Sequence, residues 1–382
     1  MPSLGETVAF LSNLRGQGAA TAARGAPRHC RVTDDFGPNP GALRMLVHTP
    51  DIHPRRAPLV VVLHGCGQTA EAHAESAGWL ALADRLGFVV LAPEQQTGNN
   101  FNRCFNWFEP GDTTRGHGEV ASIAAMIGHA VRTHDLDAER VFVVGLSAGG
   151  AMAAALLATY PELFAGGAVI GGLPFASAQN LQGALSVMRS GVDDRAAERL
   201  VAAVRDAATG APRPVRLSIW HGSADTVVNV ANGAASAEQW RAAGSLGAAS
   251  ATRPSKGRSR RSWSDGVSTV ELNLIQGMGH GTPLATKGPH GLGAAAPFML
   301  EVGVSSTREI AAFWGLGADA SAASEQPEHG LEPRPSEPVE PPAPLEVKPG
   351  GVGAQVLEAL TPHVPKTVQD QIAKAFKAAG LS

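Results

Sequence analysis

The sequence has few of the features that mark disulfide scaffolds, membrane proteins or nucleic-acid binders. Of its 382 residues only 3 are cysteines, an odd and low number that argues against a fold built on disulfides. No CxxC pair occurs, which argues against a zinc site. No run of about 18 apolar residues occurs, so we expect no membrane span. A formal net charge of −3 gives no indication of nucleic-acid binding.

The N-terminus also lacks the features of an export signal. Residues 1–28 have neither a basic start nor a sustained apolar run, so they show no signal peptide, which favours a cytoplasmic location. We expect these residues to form a lead segment with one short helix, because their larger apolar side chains recur roughly at helical spacing.

Between residues 29 and 316 the sequence alternates between strand-like and helix-like segments. Continuous apolar runs such as Leu59–Leu63 are typical of strands that are buried on both faces. Further strands are predicted at 88–92, 141–144, 215–220 and 270–275. Helices are predicted near 79–86 and at 119–131, 148–160 and 307–313. This alternation predicts an α/β domain with a mostly parallel sheet and helices on both faces.

The composition changes after residue 316. Residues 318–350 contain eight prolines and seven acidic residues but few large apolar side chains, which predicts an extended linker over 317–350. Within residues 351–382, Val368, Ile372 and Phe376 recur at helical spacing, which predicts a short amphipathic helix. We expect this helix to dock on the α/β domain or on a subunit. Contact with a hydrophobic particle or a membrane is the alternative.

A basic segment precedes the strand predicted at 270–275. Residues 253–261 read RPSKGRSRR and predict an exposed basic loop. A solvated surface loop is the simpler interpretation, and attraction to an acidic surface is the alternative.

The strongest chemical signal is a G-x-S-x-G motif at residues 145–149. It lies directly between the strand predicted at 141–144 and the helix predicted at 148–160. In that context the motif forms a tight turn that lifts the Ser147 hydroxyl above the sheet edge as a nucleophile. The backbone N–H of Ala148 then points to where an oxyanion develops. A plain glycine-rich turn is the alternative.

A serine nucleophile needs a base, and the base needs an acid that orients it. In this type of fold the acid follows the serine in the chain, and the histidine comes last. Asp225 follows a predicted strand and is the candidate acid, although it could instead cap the next helix. His280 lies between two glycines after another strand and is the candidate base, with His290 as the fallback. We expect His221 to make a structural hydrogen bond.

The loop after the strand at 59–63 supplies the candidate for the second oxyanion donor. It begins with His-Gly, a pattern found in oxyanion loops that follow an early strand. We assign the second donor to the backbone N–H of Cys66. We expect His64 to brace this loop by a hydrogen bond rather than to act as the base.

Several ordered segments together resemble the polyhydroxybutyrate (PHB) depolymerase family of esterases, which is related to feruloyl and acetylxylan esterases. They are LHGCGQ (63–68), APEQQ (92–96), NRCFNWF (102–108), GLSAGG (145–150), HGSAD (221–225) and GHGTPL (279–284). The similarity covers about residues 40–316. It implies an α/β-hydrolase fold and a serine carboxylic-ester hydrolase that acts through an acyl-enzyme, without a metal or organic cofactor.

The resemblance also implies roles for single residues. It places the family's nucleophile, acid, base and oxyanion cysteine on Ser147, Asp225, His280 and Cys66. The family's Cys-x-Asn-Trp segment matches Cys104, Asn106 and Trp107, which suggests a disulfide between Cys66 and Cys104. Two buried free thiols are the alternative, and the sequence leaves both open. Members of the family are often secreted, so secretion also stays open.

The sequence indicates the substrate only as a class, an ester or polyester. We expect Trp107 and Phe108 to line the cleft and Trp220 to lie near the acid loop, with ordinary core packing as the alternative for each. Hydrolysis of PHB or of short hydroxyalkanoate esters is the first hypothesis. A feruloyl or acetylxylan esterase is the second, and a polymer- or granule-binding protein is the third.

Overall fold

The structure, a computed structural model, describes residues 29–208, 216–251 and 257–317. The lead segment at 1–28, nearly all of the linker at 317–350 and the helix within 351–382 lie outside the described residues and stay predictions. The chain divides into the units Met1–Glu325 and Gln326–Ser382, of which the second contains no described residue. Within the described ranges, no helix is both long and apolar enough to cross a bilayer.

Ten strands of the described chain form one sheet with a parallel centre and antiparallel sides. The central strands are, in spatial order, β4 (Val89–Glu94), β3 (Leu59–Leu63), β5 (Val141–Leu146), β6 (Gly166–Ile170), β7 (Arg216–Gly222) and β10 (Thr269–Ile275). The antiparallel strands are β2 (Arg44–His48) and β1 (Arg31–Thr33) beyond β4, and β9 (Arg258–Ser264) and β8 (Ser250–Ala251) beyond β10.

The central strands are apolar because helices cover both faces of the sheet. β3 and β5 are buried at every position. Side chains alternate between the two faces of a strand. Accordingly, Val61 and Leu63 belong to one hydrophobic cluster, whereas Val60 and Val62 belong to another. The sheet therefore separates two cores.

The helices alternate with the strands along the chain. They are α1 (Ala70–Ser76), α2 (Trp79–Leu86), α3 (Pro110–Thr113), α4 (Gly118–Thr133), α5 (Ala148–Thr159), α6 (Leu181–Ser190), α7 (Ala197–Ala207), α8 (Ala231–Ala243) and α9 (Ser306–Phe313). α5 is buried over its whole length, and its alanines and glycines let it lie close to the sheet. After β10, β11 (Thr282–Leu284) and β12 (Met299–Glu301) form a separate parallel pair.

The predicted α/β class and each predicted strand are confirmed, with ends that differ by at most two residues. The predicted basic loop is wrong for residues 258–261, which begin β9. The side chains of Arg258 and Arg260 point inward and form ion pairs with Glu309 and Glu271. Arg258 and Arg260 therefore lie on one face of a strand that pairs with both β10 and β8, and residues 253–256 lie outside the described ranges.

Candidate active site

Ser147 lies in a sharp turn between β5 and α5. Its backbone φ of 57° falls in a region that residues other than glycine rarely adopt. Its N–H donates to the carbonyl of Ile170 at 2.8 Å. A Cβ on Gly145 would lie 2.1 Å from the Gly149 oxygen, and one on Gly149 would lie 2.4 Å from the Leu63 oxygen. The glycines therefore allow the close approach of strand and helix that holds the serine in this strained conformation.

Asp225 and His280 lie in the loops after β7 and β10, and the fold brings them together. The Asp225 Oδ2 atom is 2.7 Å from the His280 Nδ1 atom, and the side chains are 1% and 5% exposed. The other oxygen, Oδ1, accepts hydrogen bonds from the backbone N–H groups of Val227 and Val228. Burial alone would raise the pKa of Asp225, but hydrogen bonds from His221 and His280 hold this pKa well below its usual range. The carboxylate is therefore ionised, and it also caps its own turn.

The other two candidate histidines do not take the position of the base. His221 is wholly buried. Its Nε2 atom lies 2.8 Å from the Val228 carbonyl oxygen and 3.3 Å from Asp225 Oδ2. It therefore fastens the acid loop, and its predicted structural role is confirmed. His290 is exposed, and its carbonyl oxygen accepts a hydrogen bond from Arg308.

The candidate nucleophile and base line the same small cavity. The cavity has a volume of about 10 Å³ and is lined by Gly65, Cys66, Leu146, Ser147, His280 and Phe298. That volume suffices for about one water molecule or one substrate oxygen. Among the described residues, no hydrogen bond joins the Ser147 hydroxyl to the imidazole of His280.

The loop that carries Cys66 is fixed from several sides. The N–H of Gly65 donates to Gln68 Oε1 at 2.8 Å, and the N–H of Gly67 donates to the Asn102 carbonyl at 2.7 Å. Of the two alternatives left open for the cysteines, the structure contains the disulfide between Cys66 and Cys104. Cys66 is thereby held at the cavity wall. Ala148 is not among the residues that line the cavity, but it follows Ser147 as the first residue of α5, so its N–H lies outside the hydrogen bonds of the helix.

His64 braces this loop, as predicted. Its Nδ1 atom lies 2.8 Å from the Gly65 carbonyl oxygen, and its Nε2 atom accepts a hydrogen bond from the N–H of Gln95 at 3.1 Å. The ring is completely buried, and burial lowers the pKa of His64. Because both ring nitrogens are engaged and the neutral form is favoured, this imidazole is unavailable as a base.

A buried carboxyl group that the sequence did not indicate supports the disulfide loop. Glu119, at the start of α4, accepts hydrogen bonds from Gln95 Nε2 and from the N–H of Asn106. Gln95 Nε2 also donates to the Cys104 carbonyl at 3.1 Å. Burial, reinforced by the charge of Asp112, raises the pKa of Glu119 to about 8. Gln95, Cys104 and Asn106 all stand in recognised motifs, but no local pattern connected them to Glu119.

The aromatic residues predicted to bind substrate lie in the core instead. Trp107 and Phe108 are 7% and 9% exposed and pack edge to face against each other. Neither lines the cavity at Ser147. For Trp220, which was also expected to bind substrate, the structure shows the alternative of core packing: the ring is wholly buried, donates to Ser218 Oγ and lies beneath the Arg258 guanidinium group.

The chain matches known esterases in sequence and in structure. The family described as "Esterase PHB depolymerase" matches residues 44–262. The chain is 42% identical over 292 residues to poly(3-hydroxyalkanoate) depolymerase C of Paucimonas lemoignei, covering 74% of this chain and 69% of that protein. It is 32% identical over 257 residues to an acetylxylan esterase of Coprinopsis cinerea, covering 65% of this chain and 68% of that protein.

A third relative and a solved structure extend the comparison. The chain is 31% identical over 231 residues to feruloyl esterase B of Neurospora crassa, covering 58% of this chain and 77% of that protein. The acetyl xylan esterase from Aspergillus awamori matches with a TM-score of 0.62 at 22% identity, covering 75% of this chain and 99% of that chain. At that identity the match shows the fold alone, and it confirms the predicted α/β-hydrolase architecture.

Proposed function

The chain belongs to the PHB depolymerase family of esterases, and from that membership we propose that it cleaves poly(3-hydroxybutyrate) or short hydroxyalkanoate esters. The chemistry depends most on one observation. The Asp225 carboxylate lies 2.7 Å from Nδ1 of an imidazole that lines the same cavity as Ser147. The relative named poly(3-hydroxyalkanoate) depolymerase C, at 42% identity, supports the substrate class.

In the first half of the reaction Ser147 is acylated. Asp225 accepts a hydrogen bond from Nδ1–H of His280 and stays ionised, which keeps that proton on Nδ1 and leaves Nε2 free to take a proton. The hydrogen bond between Ser147 and His280 forms when substrate fills the cavity, since such bonds are often long in empty sites. As the proton moves to Nε2, the Ser147 oxygen attacks the ester carbonyl carbon. The N–H groups of Cys66 and Ala148 bind the resulting oxyanion, each contributing about 3 kcal/mol to the transition state.

Acylation is complete when His280 donates its proton to the departing alcohol oxygen and the bond from carbon to that oxygen breaks. In the second half the acyl group is released. His280 takes a proton from water, whose oxygen attacks the acyl carbonyl. Collapse of this second intermediate returns the proton to Ser147 and frees the carboxylic acid. His280 therefore acts in turn as base and acid, while Asp225 stabilises its positive charge in both halves.

A carbohydrate esterase is the second candidate function. Relatives named acetylxylan esterase and feruloyl esterase B match at 26–32% identity and would use the same proposed chemistry. The higher identity to the named depolymerase makes polyester the first choice. The third hypothesis is a binding protein without catalysis. It does not account for the strained backbone of Ser147, and strain of this kind is usually found at functional sites.

Substitution Ser147→Ala tests the mechanism. We expect it to lower hydrolysis of 4-nitrophenyl butyrate by about 10⁴-fold or more, because the nucleophile is lost. Thermal unfolding should stay close to that of the wild type. Ser259→Ala, an exposed position on β9, is the matched control and should keep full activity. A Ser147→Ala protein that retains more than a few per cent of wild-type turnover would remove this mechanism.

The substrate is tested on the same proteins. The proposal predicts that the wild type clears a PHB emulsion faster than it releases acetate from acetylated xylan or ferulate from feruloylated xylan. Release of acetate or ferulate without clearing would favour the second candidate. The Ser147→Ala protein should be inactive on each polymer.

A further inference from the structure

We propose that Phe298 is a specificity-determining residue that contacts the alcohol side of the scissile ester, an inference that rests on the proposed hydrolase function. Phe298 lies 18 residues after His280 in the sequence, in a segment that no motif had marked as part of the site. Its position in the structure, its backbone conformation and the chemistry of the neighbouring imidazole each support this role.

The ring of Phe298 forms one wall of the cavity at the nucleophile. It lines the cavity with Ser147, Cys66 and His280 and is 7% exposed. The Phe298 and His280 rings meet edge to face, with their centroids 6.0 Å apart and their planes at 80°. Aromatic pairs favour this arrangement. The ring therefore contacts the imidazole and faces the space that a bound ester would fill.

The backbone of Phe298 is strained and firmly held. Its φ of 64° is an outlier for a bulky side chain. Its carbonyl oxygen accepts a hydrogen bond from the N–H of Thr282 at 2.7 Å, where β11 and β12 begin to pair. A Cβ on Gly281 would lie 2.5 Å from that same oxygen. The segment carrying Phe298 therefore interlocks with the loop of His280, and strain maintained at a site indicates a functional demand.

The chemistry of His280 decides which side of the ester meets the ring. In the proposed mechanism this imidazole protonates the leaving oxygen, so the alcohol group must pass within hydrogen-bonding distance of it. The carbonyl oxygen lies instead toward Cys66 and Ala148. A ring that packs on the imidazole and faces the cavity thus lies beside the alcohol group. The contact is apolar, so it favours alcohols with an apolar substituent at the ester oxygen.

Two ester series measured on Phe298→Ala test this assignment. In the first series the acyl group is butyrate, and the alcohol is methanol or benzyl alcohol, which have similar acidity. We expect the ratio of kcat/KM for the benzyl ester over the methyl ester to fall about tenfold, as for a lost apolar contact. In the second series the alcohol is 4-nitrophenol, and the acyl group is acetate, butyrate or octanoate. The ratios within this series should stay within about twofold of those of the wild type.

Conservative variants separate specificity from folding. Phe298→Tyr keeps the ring and should keep the wild-type ratio in both series. Phe298→Leu keeps an apolar side chain, so its benzyl-to-methyl ratio should lie between those of the wild type and Phe298→Ala. If thermal unfolding shows that Phe298→Ala does not fold, Phe298→Leu takes its place in the test. A change confined to the acyl series, or an unchanged benzyl-to-methyl ratio in a folded variant, would overturn the proposal. A wild type that hydrolyses neither series would instead remove the proposed function.

Discussion

The electrostatics of the site converge on Asp225. One of its oxygens accepts two backbone N–H groups, and the other faces the imidazoles of His221 and His280. These partners all stabilise the charged carboxylate, which keeps the pKa of Asp225 low despite its burial. A fixed negative charge next to Nδ1 holds the proton of His280 on that nitrogen, so in the proposed mechanism Nε2 is the nitrogen left to accept the proton of Ser147.

Asp225→Asn should therefore damage catalysis without damaging the fold. The amide keeps the shape of the side chain but can donate to Nδ1, which favours the wrong tautomer of His280. We expect kcat on 4-nitrophenyl butyrate to fall about 10⁴-fold, with a much smaller change in KM. Asp265→Asn is the matched control, because Asp265 also accepts two backbone N–H groups in a turn but lies in the exposed connection of β9 to β10. A loss below tenfold in Asp225→Asn would contradict the assigned role.

The sequence predicted single residues where a motif has a fixed local geometry. Ser147 could be assigned because the glycine pattern demands a turn at that point, and Asp225 and His280 because loops after parallel strands meet at one sheet edge. Phe298 and Glu119 could not be assigned from the sequence, because the residues they contact lie in distant segments of the chain. Trp220 was misassigned because the residue type suggests a binding surface, whereas its position in β7 turns the ring into the core.

At the scale of elements, a polar network joins α4 to the loop of the disulfide. Glu119 accepts a hydrogen bond from the N–H of Asn106, and Gln95 Nε2 donates to both Glu119 and the Cys104 carbonyl. Cys104 in turn is bonded to Cys66 at the cavity. The network lies in the core, where a buried carboxyl is tolerated because its oxygens have hydrogen-bond partners. The proposed oxyanion loop therefore depends on a helix that does not line the cavity.

The raised pKa of Glu119 predicts how stability depends on pH. This pKa is about 8 in the folded chain against a usual value of 4.5. Below the lower value both states are protonated and the stabilisation is fully present. As the pH rises from there towards 8, the unfolded chain releases the proton and the folded chain retains it. The free energy of unfolding should therefore fall, by about 1.4 kcal/mol per pH unit at most and a few kcal/mol in all.

Urea unfolding at pH 5 and pH 8.5 measures this effect. We expect Glu119→Gln to lose less stability between the two pH values than the wild type does, because the variant has no proton to release at this position. Glu109→Gln, an exposed glutamate on the same segment, is the control and should follow the wild type. Equal losses in the wild type and Glu119→Gln would contradict the account.

Strand β9 shows why one element escaped prediction. Its sequence, RSRRSWS, has the alternation of a strand but almost no apolar side chains. Two positions on one face, 258 and 260, are arginines whose charges are met by Glu309 in α9 and Glu271 in β10. The Arg258 guanidinium group also covers the Trp220 ring at 4.6 Å. On this face, ion pairs and a cation–π contact take the place of hydrophobic packing. A sequence pattern of apolar residues does not reveal contacts of this kind.

At the scale of the whole molecule, prediction succeeded for most of the central strands and weakened toward the edges. The central strand β6 was not predicted, although it is buried at every position, because two of its five residues are glycines. Strands such as β3 and β5 are buried on both faces, so burial alone dictates their apolar sequences. The antiparallel strands β1 and β2 carry weaker patterns and were not predicted. The proposed catalytic residues follow the central strands, whereas Phe298 stands in an outer segment. This explains why the class of reaction could be predicted from the sequence and its selectivity could not.

The central claim is that Ser147 is made reactive by His280, and labelling with a 4-nitrophenyl alkylphosphonate tests it most directly. In the wild type we predict one equivalent of nitrophenol released per chain and a phosphonyl group on the peptide that contains Ser147. His280→Gln should slow labelling about 10³-fold, whereas His290→Gln, at an exposed histidine, should label as fast as the wild type. A phosphonyl group on another residue, or unchanged labelling in His280→Gln, would contradict the account.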